Sequence, residues 1–328
     1  MIWSRTLKTI MQISIKSRIK YRLVLFFKGA LMGAADIFPG VSGGTIAFIS
    51  GIYEELIESI NSINIDSLRL LGKQEFSQFW KKINGNFILT LACGALFSIS
   101  FLSHLIYYLL AEETILVWSF FFGLILASAS YILRQLESFN FKELVGLTVG
   151  IVIVVLISIA PRINSSDDLF VLFFGGSIAI CAMILPGISG SFILLLLGIY
   201  PIVISAISQM QWDVLFVFGS GCMFGLLVFS RALTILLKTY YSLSISVLTG
   251  FLLGSLVIVW PWKNVVKSIS TDMDSKLFFP SQLLMPGGYL SKTGQDPQTY
   301  LAFSLIMFGF FTIVALEFFS EKTKKQGD

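Results

Sequence analysis

Apolar residues along this chain gather into eight runs, at 23–57, 87–110, 115–133, 144–160, 169–208, 214–237, 245–261 and 299–319. A helix that crosses a bilayer needs about 20 consecutive apolar residues. Six runs are therefore predicted as one crossing each, with 144–160 and 245–261 short for the task. The other two, 23–57 and 169–208, are much longer, and each is broken in the middle by Pro-Gly and a cluster of small polar residues. Proline removes a backbone donor, and the residue before it resists helix. Each long run is predicted as a re-entrant hairpin: a half-helix in, a turn near the midplane, a half-helix out. Irregular backbone at that depth is tolerated only where it is buried in protein or lines a cavity.

The two hairpins are copies. Residues 39–57 read PGVSGGTIAFISGIYEELI and residues 186–204 read PGISGSFILLLLGIYPIVI, identical at nine of nineteen positions without a gap. The likeness continues beyond them: 94–128 aligns with 221–255, pairing Gly94 with Gly221, Phe97 with Phe224, Ser103 with Ser230, Gly123 with Gly250 and Ser128 with Ser255. Each copy is thus a hairpin followed by two crossings. Three crossings separate equivalent points, so the copies are expected to be inverted, with broken segments that meet at the midplane from opposite faces, a transporter architecture. The predicted fold is an all-α polytopic membrane protein with two inverted repeats, plus one linking and one C-terminal helix. A duplicated helical bundle without transport is the plainer alternative. The glycines of the crossings are expected to let helices approach closely.

Charge supports this layout. With a basic segment 1–22 (Arg5, Lys8, Lys16, Arg18, Lys20, Arg22) in the cytoplasm, Arg69, Lys73, Lys81, Lys82, Arg134, Lys142 and Lys238 fall inside, as does the tail with Lys322, Lys324 and Lys325. Glu112, Glu113, Asp167 and Asp168 fall outside. Cytoplasmic loops of membrane proteins carry the excess of Lys and Arg. The exception is 262–298, an extracytoplasmic loop on this reading, which holds Lys263, Lys267, Lys276 and Lys292. The organisation is then 1–22 basic segment, 23–143 first repeat with hairpin 23–57, 144–168 linking helix, 169–261 second repeat with hairpin 169–208, loop 262–298, and 299–328 C-terminal helix and tail.

Composition agrees: 55% of residues are hydrophobic and 13% charged, which excludes an ordinary soluble domain. The basic residues lie scattered through loops and tails, so the net charge of +4 reflects cytoplasmic flanks and predicts no nucleic-acid partner. No small-residue cleavage site follows the basic start. Cys93, Cys181 and Cys222 lie in apolar segments as packing residues, and a single histidine, His104, makes a histidine-built metal site implausible. No cofactor, metal or catalytic group is expected.

The candidate chemistry lies at the two turns. A half-helix that starts after Pro-Gly has unpaired N–H groups and a positive dipole end, and suits phosphate. Ser42, Gly43, Gly44 and Thr45 hold that position in the first copy; Ser189, Gly190 and Ser191 hold it in the second. Ser42 and Ser189 also suit plain N-caps, and the two roles are compatible. Asp36 sits at the tip of the first half-helix. An acid at that depth points to proton or cation coupling, or to a hydrogen bond with the turn. Its counterpart is Met183, so the halves are chemically unequal. Arg231 and His104 hold mirrored positions. Arg231 offers a fork that fits phosphate, or snorkels to the cytoplasmic surface; His104 serves a head group on the other side, or packing. Lys28 reads as an interface anchor or entry contact. Glu54 and Glu55 read as solvated helix-end charges, Glu54 with a second reading as a partner of Asp36 in a proton path. Tyr53 and Tyr200 read as interfacial belt residues.

The stretch from Lys28-Gly29-Ala30 through Asp36 and Pro39-Gly40-Val41-Ser42-Gly43-Gly44-Thr45 to Gly51-Ile52-Tyr53 resembles the opening of the PopT family, and Leu185-Pro186-Gly187-Ile188-Ser189-Gly190-Ser191 resembles its second motif. The resemblance covers roughly 22–320. It implies two re-entrant hairpins and a polyprenyl phosphate substrate, with return of undecaprenyl phosphate across the bacterial cytoplasmic membrane as the function. Integral-membrane undecaprenyl pyrophosphate phosphatases share inverted hairpins and a Pro-Gly-x-Ser-Arg-Ser loop. Here Gly43 and Gly190 stand where that loop has arginine, and no glutamate pair precedes the motif. Hydrolysis needs charge clamping and acid–base groups at phosphorus. A translocase is therefore preferred over a phosphatase, with a small-solute or ion carrier as a third class.

Overall fold

A computed structural model describes residues 2–37, 42–134, 136, 139–160, 168–264 and 282–325. In chain order the helices are α1 (Ile2–Ile37), α2 (Gly43–Ile49), α3 (Tyr53–Asn61), α4 (Ile65–Gly72), α5 (Phe76–Lys82), α6 (Gly85–Glu112), α7 (Thr114–Arg134), α8 (Phe141–Ile159), α9 (Leu169–Ile184), α10 (Gly190–Leu196), α11 (Tyr200–Ser208), α12 (Trp212–Thr239) and α13 (Tyr241–Ser255). They are followed by β1 (Lys263–Asn264), β2 (Gln282–Leu283), α14 (Pro286–Thr293) and α15 (Thr299–Lys325). The protein is an all-α membrane protein. Among the described residues α7, α8 and α12 are long and apolar enough to cross a bilayer, and two bent pairs pass the same test jointly: α5 with the start of α6, at 70°, and α10 with α11, at 108°.

α1 runs unbroken from Ile2 through the basic residues into the first apolar run. One expectation needs correction: each hairpin has a second break, where a simple turn and return were expected. α2 ends at Ser50 and α10 at Leu197; Gly51 and Gly198 follow, both at φ +71°, a conformation that costs glycine nothing. The same hydrogen bonds close both ends: Ile52 N–H to Ala47 and Ile199 N–H to Leu194, each 3.0 Å. The repeated Gly-Ile-Tyr is thus a helix stop, a buried isoleucine and the start of the next helix. It turns each hairpin into three pieces.

The packing recurs in pairs as well. α1 lies along α6 as α9 lies along α12, and α7 lies along α15 as α13 lies along α8. A methyl group on Gly94 would strike the carbonyl oxygen of Phe26, and one on Gly221 that of Phe173. Phe26 stands to Phe173 as Pro39 stands to Pro186. Beside these contacts the Phe26 and Phe97 rings meet at 5.7 Å, and the Phe173 and Phe224 rings at 5.6 Å. Gly123 meets Ile306 and Gly309 meets Phe120 on one side; Gly250 meets Leu147 and Gly150 meets Val247 on the other. Such close crossings let van der Waals packing hold helices together where lipid supplies no hydrophobic drive. The contacts match α8 with α15: α8 packs against α13 as α15 packs against α7.

The described residues after α13 include a short two-stranded sheet. β1 pairs antiparallel with β2. Trp260 Nε1 donates to Leu284 O at 2.9 Å and Trp262 Nε1 to Pro297 O at 2.8 Å. Lys263 Nζ lies 4.2 Å from the centre of the Trp118 ring and donates to Ile258 O. Tryptophan N–H groups thus tie the described parts of this region to one another, and Lys263 sets it against Trp118 of α7, where the sequence shows only an irregular excursion.

Candidate functional site

Ser42 begins α2. Its backbone is extended (φ −123°, ψ 140°), so its hydroxyl folds back to accept the Gly44 N–H at 3.0 Å. The same hydroxyl donates to Met183 O in the second hairpin at 2.8 Å. Thr45, one turn on, presents Oγ1 to the Gly187 N–H at 2.9 Å. Ser42 and Thr45 are each 1% exposed. The two turns therefore touch, joined by hydrogen bonds between residues more than 140 positions apart. Gly44 permits the approach, since a side chain there would run into the carbonyls of Met183 and Ile184. Gly187, at φ +85°, lies against the Phe251 carbonyl in the same way.

Asp36 stands at the end of α1, partly buried. Its Oδ1 accepts the Gly43 N–H at 2.6 Å. That short, charge-assisted bond satisfies an amide at the start of α2. The carboxylate thus occupies the Gly43 amide. Pro39, Gly40 and Val41 lie outside the described residues. In the second copy, Ser189 Oγ lies 2.9 Å from Ser191 Oγ, and no side chain caps α10. Ser191 is partly exposed. Gly190 lies against the Ala179 carbonyl. The two starts are unequal: the first is closed by its own acid, and the second carries a pair of hydroxyls.

The structure does not bring every candidate to this junction. Arg231 is exposed on α12, with no hydrogen bond or ion pair to either turn among the described residues. His104 lies on α6, and its side chain is outside the described residues. Glu54, exposed on α3, takes a hydrogen bond from Tyr241. Glu55 accepts from Asn84 Nδ2 at 2.9 Å and from Tyr21, and Glu58 pairs with Lys238 at 3.0 Å. The acids of α3 therefore tie it to α1, the start of α6, α12 and α13. Lys28 does more than anchor: its Nζ donates to Ser50 O at 2.6 Å and so holds the end of α2. Tyr53 is not a belt residue. It is 2% exposed and packs edge-on against Phe48, because it opens a helix directed into the core. The Tyr200 side chain is partly exposed. Among the described residues no group of His, Cys, Asp and Glu could hold a metal ion.

A family model described as VCA0040-like, undecaprenyl phosphate translocase-like, matches residues 32–277, a span that contains both turns. The chain belongs to this family. A polyprenyl-phosphate transporter of Vibrio cholerae is 41% identical over 300 residues, 92% of this chain and 97% of that relative. A polyprenyl-phosphate transporter of Staphylococcus aureus is 33% identical over 261 residues, 74% of this chain and 87% of the relative. No solved structure matches the chain. The relatives bear the names of transporters and not of enzymes, in line with what the paired motifs imply. Across the family match, Asp36, Ser42 and Thr45 of the first turn and Gly187, Ser189 and Ser191 of the second fall within one unit.

Proposed function

We propose that this chain is a membrane transporter of polyprenyl phosphate, with undecaprenyl phosphate as the cargo, returning the carrier lipid from the outer to the inner leaflet of a bacterial cytoplasmic membrane. Two full-length relatives carry the transporter name. The observation that carries the reading within the chain is the junction itself, where Thr45 accepts from Gly187 and Ser42 donates to the Met183 carbonyl. A polar locus built from two broken segments is what a head group needs to cross, while an isoprenoid tail remains in lipid. The matched contacts of the two halves support a structural repeat; inversion and cytoplasmic termini rest on the odd number of crossings between the copies and on the placement of Lys and Arg.

The head group engages the half-helix starts: Ser42, Gly43, Gly44 and Thr45 on one side, Ser189, Gly190 and Ser191 on the other. The Gly43 amide is held by Asp36 until substrate arrives. Protonation of Asp36 weakens that hold and removes a negative charge next to the incoming phosphate, so proton uptake and phosphate binding favour one another. A sodium ion paired with the carboxylate would act in the same sense. Arg231 and His104, in mirrored places, gather the head group at opposite surfaces, and Glu54 passes protons on the cytoplasmic side. The halves then rock about the junction to alternate access.

Proteoliposomes test the class. Protein-dependent movement of polyprenyl phosphate between leaflets, with no inorganic phosphate released from the pyrophosphate form, is the expected result. Release of phosphate without movement would instead make the chain a phosphatase.

A further inference from the structure

The third pieces of the two hairpins, α3 and α11, hold equivalent places in the repeat but lean in different directions. α3 packs mainly against α12, a helix of the other half, whereas α11 packs mainly against α12 of its own half. Matched residues record the difference. Ile57 of α3 is 1% exposed, and its equivalent on α11, Ile204, is 43% exposed. Tyr53 is buried, and its equivalent Tyr200 is partly exposed. α11 buries Val203 and Ala206 instead.

Polar side chains fasten α3 across the boundary between the halves. Glu58 pairs with Lys238 of α12 at 3.0 Å, and Glu54 accepts from Tyr241 of α13. The equivalents of Glu54 and Glu58 on α11 are Pro201 and Ser205, which carry no charge. Both side chains of the Glu58–Lys238 pair are more than half exposed, and exposed ion pairs hold loosely enough to release. The docked position also has a cost within it: the Tyr53 hydroxyl is buried with no hydrogen-bond partner among the described residues.

We propose that α3 is a gate, shut in this structure, that closes the junction toward the cytoplasm, and that α11 is the matching outer gate in its withdrawn position; the proposal rests on the transport reading and inverted layout above. α3 follows closely on α2, the helix that carries Ser42 and Thr45, so its release uncovers the first turn from the cytoplasmic side. In a transport step α3 leaves α12 and α13 together with its own half, and α11 moves onto the other half. The two hairpins thereby exchange arrangements, as two copies of one unit are able to do. The arrangement seen here is the one that receives lipid from the outer leaflet.

The test fixes α3 in two directions, in the full chain carrying Cys93→Ala, Cys181→Ala and Cys222→Ala. Glu58→Cys with Lys238→Cys ties α3 to the other half. Tyr21→Cys with Glu55→Cys, at positions whose side chains meet at 3.4 Å, ties it to its own. Each pair is closed with a short thiol cross-linker that reduction cleaves, and polyprenyl phosphate movement is measured in proteoliposomes before and after reduction. The first pair should transport about tenfold or more slowly while closed and recover on reduction; the second should keep its reduced rate while closed. Equal loss in both pairs, or no loss in the first, would make α3 a fixed part of the fold and overturn the proposal. Tyr53→Phe removes the unpaired hydroxyl and favours the shut position, so it should melt higher than the parent and transport about fivefold more slowly; an unchanged or faster rate would also overturn it. The unmodified chain, measured in parallel, separates the two levels. If it moves no polyprenyl phosphate, the transport reading fails; if it does and the closed first pair transports equally well, only the gate fails.

Discussion

Thr45 Oγ1 accepts the backbone N–H of Gly187 at 2.9 Å, across 142 positions of sequence. The bond joins the two broken segments at their turns, where both partners are buried. A buried N–H left without an acceptor costs about 1–3 kcal/mol. Thr45→Val keeps shape and volume but removes that acceptor, so it should lower the melting temperature of the detergent-solubilised protein. Thr45→Ser, which keeps the oxygen, should restore most of the loss. Equal melting of the Val variant and the parent would show that the junction contributes nothing to stability.

Ser42 supports two bonds with a single hydroxyl, one to its own helix and one to the other half. Loss of an N-cap costs about 1 kcal/mol. Ser42→Ala should therefore destabilise by about that amount, plus the stranded Met183 carbonyl. Ser42→Gly, which retains a tolerable cap backbone but not the bridge, should lose transport as Ala does. The pair of variants separates capping from bridging, read as melting temperature against transport rate.

Asp36 divides structure from coupling. In Asp36→Asn the amide oxygen can still accept the Gly43 N–H, so the turn keeps its bond while the titrating group is gone. The variant should melt within about 1 kcal/mol of the parent. Its transport should no longer respond to an imposed pH or sodium gradient. Asp36→Leu should lose stability as well. A gradient response that survives in the Asn variant would remove Asp36 from the coupling step.

Lys263 gives a pH signature outside the membrane spans. Desolvation beside Trp118 lowers its ammonium to about 7 from an ordinary 10.5. The unfolded chain then holds more protons than the folded one between those values, so the stability linked to this residue rises with pH from about 7 to 10.5 and is smallest below 7. Lys263→Met keeps an unbranched stem without the charge. The pH dependence of tryptophan-detected unfolding should be flatter for Met than for the parent across that window. Parallel curves would contradict a desolvated ammonium.

The large features of the fold were legible because they depend on patterns that cannot be faked locally. Apolar runs matched the helices α6, α7, α8, α12, α13 and α15, of which α7, α8 and α12 are by themselves long and apolar enough to cross a bilayer among the described residues. A Pro-Gly turn repeated at fixed spacing marked both breaks. The second break was present in the same repeat, since Gly51 and Gly198 precede Ile-Tyr in each copy, but a single glycine does not declare a positive φ. Tyr53 was misread because tyrosine at the end of an apolar run has two homes, the interface and the core, and only tertiary packing chooses. Lys28, Glu54 and Glu55 looked like interface or surface charge for a related reason: their partners Ser50, Tyr241, Asn84 and Tyr21 come from other elements of the fold. Asp36 was legible as an exception in an apolar helix, and a hydrogen bond with the turn was one of its readings; which amide it takes, Gly43, was settled only by the fold of the turn. The symmetry of Gly150 with Gly309 was hidden, since α8 and α15 share packing but little sequence.

The most direct test of the junction as the path of the head group is the transbilayer movement of polyprenyl phosphate in proteoliposomes, for the parent chain and for Thr45→Val in equal amounts of folded protein. The expected result is movement well above protein-free vesicles for the parent, and a loss of about tenfold or more for the variant. Movement no faster than in protein-free vesicles, or equal rates for parent and variant, would contradict it.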